Sequence, residues 1–334
     1  MNDGGTLNLA GFSDSVGAIT INSGNTGGTI TTGAGTLTTT GPVTSSGGSN
    51  ASISGKLAMP AAGTITVTNA TDELIVSAVV SGAATSLTKA GSGTLTLSGD
   101  NTYAGSTVIS VGTLKLGATG GGANTPLGTN VGATSITAGA ALDLNGFTLG
   151  TAEAVTILGT GISSGGALSN SSGSAASYSG LVTVGATGTS IVASGGDINL
   201  THTGTIAGAG FALTLDGNAN GSIASIIGTT TGTLTKIGTG NWNLTGANTY
   251  TGATTLNAGE LRLSGATGAN NGATAYTINS GATFTLDNSG TNLDARVANT
   301  STFSMNGGEM VVIGNAAANT NETVGAFTLP VAAP

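Results

Sequence analysis

The stretch Leu87-Thr-Lys-Ala-Gly-Ser-Gly-Thr-Leu-Thr-Leu-Ser-Gly-Asp-Asn-Thr-Tyr103 continues to Leu116, and it returns as Leu234-Thr-Lys-Ile-Gly-Thr-Gly-Asn-Trp-Asn-Leu-Thr-Gly-Ala-Asn-Thr-Tyr250, continuing to Leu263. The copies align without a gap and share L-T-K-x-G-x-G-x-(L/W)-x-L-x-G-x-N-T-Y-x-G-x-T, then x-(I/L)-x-x-G-x-L-x-L. A unit this short cannot bury an apolar face alone. It must stack on neighbours, which restricts the chain to repeat architectures. Within each copy Leu alternates with polar residues, the period of a strand with one buried face.

Glycine fills 60 of 334 positions, and Ser, Thr, Asn and Ala supply most of the rest. Such a composition without periodicity would read as disorder; with recurrent x-L-x-L runs it reads as many short strands separated by turns. Helix signals are missing, because apolar residues do not recur at i, i+3, i+4, i+7 and Glu, Lys and Arg are few. The fold is expected to be all-β.

This pattern resembles the autotransporter-associated β-strand repeat (passenger-associated transport repeat), found in exported bacterial passenger domains. Looser forms recur in Leu142-Asp-Leu-Asn-Gly-Phe147, Thr283-Phe-Thr-Leu-Asp-Asn-Ser-Gly290 and Asn321-Glu-Thr-Val-Gly-Ala-Phe-Thr-Leu329. The resemblance implies a right-handed parallel β-helix running through residues 1–334 as one continuous segment. It also implies a non-catalytic stalk or adhesin, placed outside the cell or on its surface after export through the outer membrane. The partners it implies are glycans or the surfaces of host or neighbouring cells. The alternative is a secreted carbohydrate-binding or polysaccharide-degrading β-helix; a close cluster of three or more acids in a groove would favour it.

Candidate strands run from Ala18 to Ile21, Gly28 to Thr32, Thr64 to Thr68, Leu74 to Val80, Thr302 to Met305 and Glu309 to Ile313, with Leu7 and Leu9 on one face near the start. Ser23-Gly24, Gly27-Gly28, Gly47-Gly48 and Asn69 punctuate them. Leu97 and Leu116 lie 19 residues apart, as do Leu244 and Leu263. Coils of about 19 to 24 residues would give roughly 14 to 17 turns and a rod of roughly 65 to 80 Å. The core is expected to contain Leu95, Leu97, Leu114, Leu116, Leu244, Leu261 and Leu263, and Trp242 where the first copy has Leu95. Extra residues are expected as a Gly/Ser loop at Ser163 to Ser179.

The net charge is −8, with only six Lys and Arg, so a phosphate backbone and an anionic membrane surface are unsuitable partners. No run of 18 apolar residues exists, and direct membrane insertion of this segment is not expected. Met1-Asn-Asp-Gly-Gly lacks the basic and apolar regions of a signal peptide. The sequence therefore reads as a piece of a larger exported protein, whose cut ends are expected to fray or self-associate end to end. Pro330 and the tail to Pro334 follow the last strand.

No catalytic, cofactor-binding or metal-binding residue is nominated. The acids are scattered, and adjoining Asp72 and Glu73 would point to opposite faces of a strand. His202 is the only histidine and cysteine is absent, so a His triad or His/Cys metal site has no partners in sequence. Its expected place is a strand end in solvent. Gly91-Ser-Gly93 and Gly238-Thr-Gly240 lack the helix and the Gly-Lys-Ser/Thr ending of a phosphate loop and are expected at coil corners. Lys89 and Lys236 occupy the same place in both copies. They are expected as solvated residues just outside a strand, the competing reading being a basic stripe for anionic glycans. Tyr103, Tyr250 and Trp242 could together make a sugar platform, although Trp242 is expected in the core. Threonine runs such as Thr64-Ile-Thr-Val-Thr68 resemble ice-binding ranks, but Asn241 and Asn243 stand where the first copy has Thr94 and Thr96.

Overall fold

A computed structural model describes residues 1–329 except 23, 25, 83–85 and 187. The turn at Ser23 and the segment from Pro330 onward therefore lie outside the described residues. Among the described residues the regular structure is β-strand, with a single 3-10 turn at Ile162–Ser164. The strands stack in parallel as a β-solenoid; one antiparallel hairpin, Asn124–Thr125 with Gly128–Thr129, interrupts the pattern. The chain divides into two compact units, residues 1–156 with 161–163, and 157–160 with the chain from 164 onward.

In the first unit, seven strands from Thr6–Asn8 to Ala140–Asp143 form one sheet. A second sheet runs from Ile19–Asn22 through Ser86–Ala90 and Thr107–Ile109 to Thr134–Ile136. A third sheet of four strands, Asp14–Val16 to Val79–Ser81, closes the early coils. Alternation turns one residue in two inward. Stacking then lines these residues into ladders: Ile30, Ile53, Val76, Leu97 and Leu116 are consecutive rungs of one, all fully buried. Ala51, Leu74, Leu95, Leu114 and Leu142 form the next. Each buried leucine contributes roughly 1.5 to 3 kcal/mol by leaving water.

The second unit repeats the scheme. Eight strands from Leu168–Ser169 to Phe327–Thr328 make one sheet, and seven from Ala176–Tyr178 to Glu309–Ile313 make another. Leu200, Ile223, Leu244, Leu263 and Leu286 are successive inward rungs. Every core leucine expected from the sequence is buried, and so is Trp242. Trp242 pairs with Gly221 on the preceding rung, where a Cβ would stand 2.5 Å from ring atom Cζ3. The missing side chain of Gly221 is the space that the larger ring fills.

Three expectations need correction. The candidate strand Leu74 to Val80 is two, Glu73–Val76 and Val79–Ser81, because the chain turns a corner at Ser77 and Ala78. Coils are not confined to 19 to 24 residues: Thr94 pairs with Thr113, but Gly112 pairs with Ala140 and Tyr276 with Phe303. Finally, Ser163 to Ser179 is not an excursion, since Leu168–Ser169 and Ala176–Tyr178 are rungs paired to residues 191–192 and 198–200. The chain length is taken up instead by the hairpin after Leu116 and by the segment that encloses Arg296.

Candidate functional site

The polar residues that define the repeat face inward. Lys89 sits in a ladder between Ile65 and Ile109, and Lys236 between Leu215 and Leu256. Both are buried, which overturns the solvated placement and the basic stripe alike. Neither has a salt bridge. Lys89 Nζ donates to the carbonyls of Ala90 (3.0 Å), Gly91 (2.7 Å) and Val111 (2.9 Å). Lys236 Nζ donates to those of Ile237 (2.7 Å), Gly238 (2.8 Å) and Ala258 (3.1 Å). An ammonium has three N–H donors, and here all three are used on the corner of one coil and the next. Desolvation lowers each pKa to about 8, opposed at Lys236 by the nearby Asp216 carboxylate, so both remain charged at neutral pH.

The glycines complete the corner. Gly91 and Gly238 adopt φ of +77° and +70°, which places their carbonyls toward the ammonium. Gly112 and Gly259 lie beneath it, with φ of +74° and +63°. A Cβ on Gly112 would stand 2.7 Å from Lys89 Nζ, and one on Gly259 2.6 Å from the Gly240 carbonyl.

The N-T-Y segment closes the opposite side of the coil. Asn101 Oδ1 accepts from Val80 N–H (2.7 Å) while Nδ2 donates to the Pro126 carbonyl (2.7 Å). Asn248 does the same between Ile227 N–H (2.9 Å) and the Ala269 carbonyl (3.0 Å). Tyr103 Oη is 2.8 Å from Thr107 Oγ1, and Tyr250 Oη is 2.8 Å from Thr254 Oγ1. Both tyrosines are buried, so no platform of Tyr103, Tyr250 and Trp242 faces solvent. Burial raises both phenols, Tyr250 to about 12. Sequence reasoning missed these clamps, although Leu87 and Lys89 share strand parity and that parity was the signal.

Two further buried polar groups carry no sequence signature. Glu153 is buried beside Thr134, whose hydroxyl donates to its carboxyl, and burial raises its pKa to about 8. Arg296 is buried with its guanidinium donating to Asn288 Oδ1 and the carbonyls of Gly265, Gly268 and Thr291. These contacts fix loop backbone and leave the guanidinium no access to solvent.

His202 is half-buried, and its Nδ1 accepts from Gly204 N–H at 2.8 Å. Asp72 is buried and Glu73 partly so, on opposite faces as expected. Among the described residues no group of three His, Cys, Asp or Glu is placed to hold a metal ion, and no helix is long and apolar enough to cross a membrane. The threonine ranks are broken: the outward row through Thr29, Ser52, Ile75, Thr96, Lys115 and Asp143 mixes apolar and charged residues.

Among the described residues of the second unit, the ion pairs of Arg262 bring charged side chains to the surface. Arg262 Nε and Nη2 both lie 3.0 Å from Glu260 Oε1, and Nη1 lies 3.0 Å from Asp287 Oδ2. Bonds from Ser289 hold the Asp287 carboxyl below its usual range, with Arg262 adding to the effect.

An all-β parallel solenoid whose repeated polar residues are spent on its own corners is a scaffold class. Residues 87–116 and 234–263 match the Passenger-associated-transport-repeat, and both copies are repeats of that family. The chain is also similar to the adhesin BmaC autotransporter of Brucella suis biovar 1 (strain 1330), at 34% identity over 203 residues. That match takes in 60% of this chain but 4% of the relative's length. No solved structure matches the chain.

Proposed function

We propose that this chain is part of the exported passenger of an autotransporter-type adhesin, presented at or beyond the cell surface as a non-catalytic adhesive scaffold. The observation that carries the reading is the pair of passenger repeats whose Lys, Asn and Tyr side chains all serve the coil itself. Similarity to an adhesin supports the adhesive part. The scarcity of cations directs the adhesive contact away from nucleic acid and anionic lipid.

The test is to place the chain between a signal peptide and an outer-membrane β-barrel translocator. On intact cells it should be cleaved by added protease, and the cells should adhere to coated surfaces better than cells bearing the barrel alone. A chain that stays inside the cell, or one displayed without any gain in adherence, would overturn the reading.

A further inference from the structure

We infer that the outward face of the second unit's sheet from Ala176–Tyr178 to Glu309–Ile313 is a docking track for a neutral oligosaccharide, anchored at Arg262. The inference rests on the adhesive reading above and gives it a ligand class. Register aligns Ser222, Asn243 and Arg262 in one outward row, one residue per rung at about 4.8 Å, and Thr285 continues the register but is itself buried. Beside it, two before on each strand, stand Glu260 and Thr283, with Asn220 and Asn241 continuing the line. Two shallow depressions flank the Arg262 side chain. One is bounded by Asn220, Asn241 and Asn243; the other by Thr283, Thr285 and Val311.

The hydrogen bonds within the sheet decide what this face offers. Asn199 Oδ1 accepts from Ser222 Oγ (2.7 Å), Asn243 Oδ1 from Ser264 Oγ (2.7 Å), and Asn220 Oδ1 from Asn241 N–H (3.0 Å). Each amide oxygen is thus used internally, and each amide nitrogen is turned outward as a donor. Arg262 keeps N–H groups beyond those bound to Glu260 and Asp287, and Glu260 Oε2 stands next to them as an acceptor. Vicinal sugar hydroxyls both donate and accept, and a fixed donor–acceptor pair beside a row of amide donors suits them.

Charge selects against anionic glycans. Arg262 is neutralised by two carboxylates, and Glu309 lies on the neighbouring rung beside Thr283. The local balance is negative and no lysine contributes. A peptide is also a poor occupant. The strands that carry the row, from Gly221–Ile223 to Ala282–Asp287, are paired on both sides, so their backbone offers no free edge, and the depressions contain no deep apolar pocket for an anchor. The repeat of the rungs is comparable to that of an extended hexose chain, so successive sugars can meet successive rungs.

The experiment is affinity electrophoresis of the full chain in gels containing mannan, xylan, glucan or heparin, followed by titration with the hexasaccharide of any retarding polymer. One neutral polymer should retard the chain and heparin should not. Arg262→Ala should weaken binding by at least ~10-fold, the equivalent of one charge-assisted hydrogen bond, and Asn243→Ala by roughly 3- to 10-fold, the equivalent of one neutral hydrogen bond. Both variants must melt as the parent does; if Arg262→Ala does not, Asn243→Ala decides. Retardation by none of the neutral polymers, retardation by heparin alone or by a peptide library, or unchanged affinity in Asn243→Ala overturns the track. Adherence of cells displaying Arg262→Ala separates the two levels. Adherence kept without glycan binding leaves the adhesive reading standing and removes the track, whereas no adherence by the parent chain removes the adhesive reading itself.

Discussion

Lys89 reaches 2.9 Å to the carbonyl of Val111, which lies 22 residues further along the chain and on the next coil. Lys236 and Ala258 repeat the relationship at 3.1 Å, with the same separation. A buried cation without a counterion is costly. Here the cost is offset by three charge-assisted bonds to carbonyls that no other group in the corner satisfies. Replacing the lysine by methionine removes the desolvation cost but orphans those carbonyls. Lys89→Met and Lys236→Met are each expected to destabilise by about 2 to 4 kcal/mol, because three such bonds outweigh the relief. Lys115→Met, on the outward side of its strand, should stay within about 0.5 kcal/mol. Denaturant titrations of the three variants check the contrast.

Gly112 and Gly139 both have positive φ, but their surroundings differ. A Cβ at Gly139 meets nothing within 4 Å, whereas at Gly112 it meets Lys89 Nζ at 2.7 Å. Gly139→Ala should cost about 1 to 2 kcal/mol, the backbone strain alone. Gly112→Ala should cost more, since it also displaces the ammonium from its carbonyls. Equal losses in thermal melts would show that the clamp does not depend on the glycine.

Leu97 and Leu244 are fully buried rungs of their ladders. Truncating either to Ala is expected to destabilise by about 2 to 5 kcal/mol through lost transfer energy and the cavity left behind. A loss below about 0.5 kcal/mol, the level of a surface change, would mean that the coil re-forms around the gap.

Glu153 gives the first unit a pH dependence of definite sign. Its pKa rises from 4.5 to about 8 on folding because burial disfavours the carboxylate. The folded state therefore holds a proton that the unfolded state has released between those values. Its contribution to stability is complete below pH 4.5 and is lost as pH rises toward 8. The steepest loss is about 1.4 kcal/mol per pH unit. Melting temperatures measured from pH 5 to 8 should fall more for the parent than for Glu153→Gln. Parallel profiles would remove Glu153 as the titrating group.

The alternation of Leu with polar residues made the strands and the three apolar ladders legible, because most inward residues are apolar and most outward ones are polar. The same alternation placed Lys89 inward, two residues after Leu87, but charge suggested solvent. That inference fails because the acceptors for Nζ include a carbonyl from the following coil, whose position sequence spacing does not reveal. Asn101 and Tyr103 were obscured for the same reason: their partners, Pro126 O in the hairpin turn and Thr107 Oγ1 at the start of a strand, are not indicated by the alternation. Arg262 was not singled out, since its partners Glu260 and Asp287 lie on two different rungs.

Trp242 and Gly221 supply the sharpest test of register. In the first copy Leu95 follows Leu74 in the ladder; in the second, Trp242 follows Gly221, and the indole occupies the space a side chain would take. Gly221 does not have a positive φ, so alanine is compatible with its backbone, and any loss must come from contact with the ring. Gly221→Ala alone should overpack the rung and destabilise by about 1 to 3 kcal/mol. Trp242→Leu alone should leave a cavity and also destabilise. Combined, the two changes recreate a small side chain facing a leucine. The double variant should therefore be more stable than the sum of the single losses predicts, by at least about 1 kcal/mol of coupling. Additive losses would mean that residues 221 and 242 do not face each other, and that the strand Trp242–Leu244 pairs in a different register.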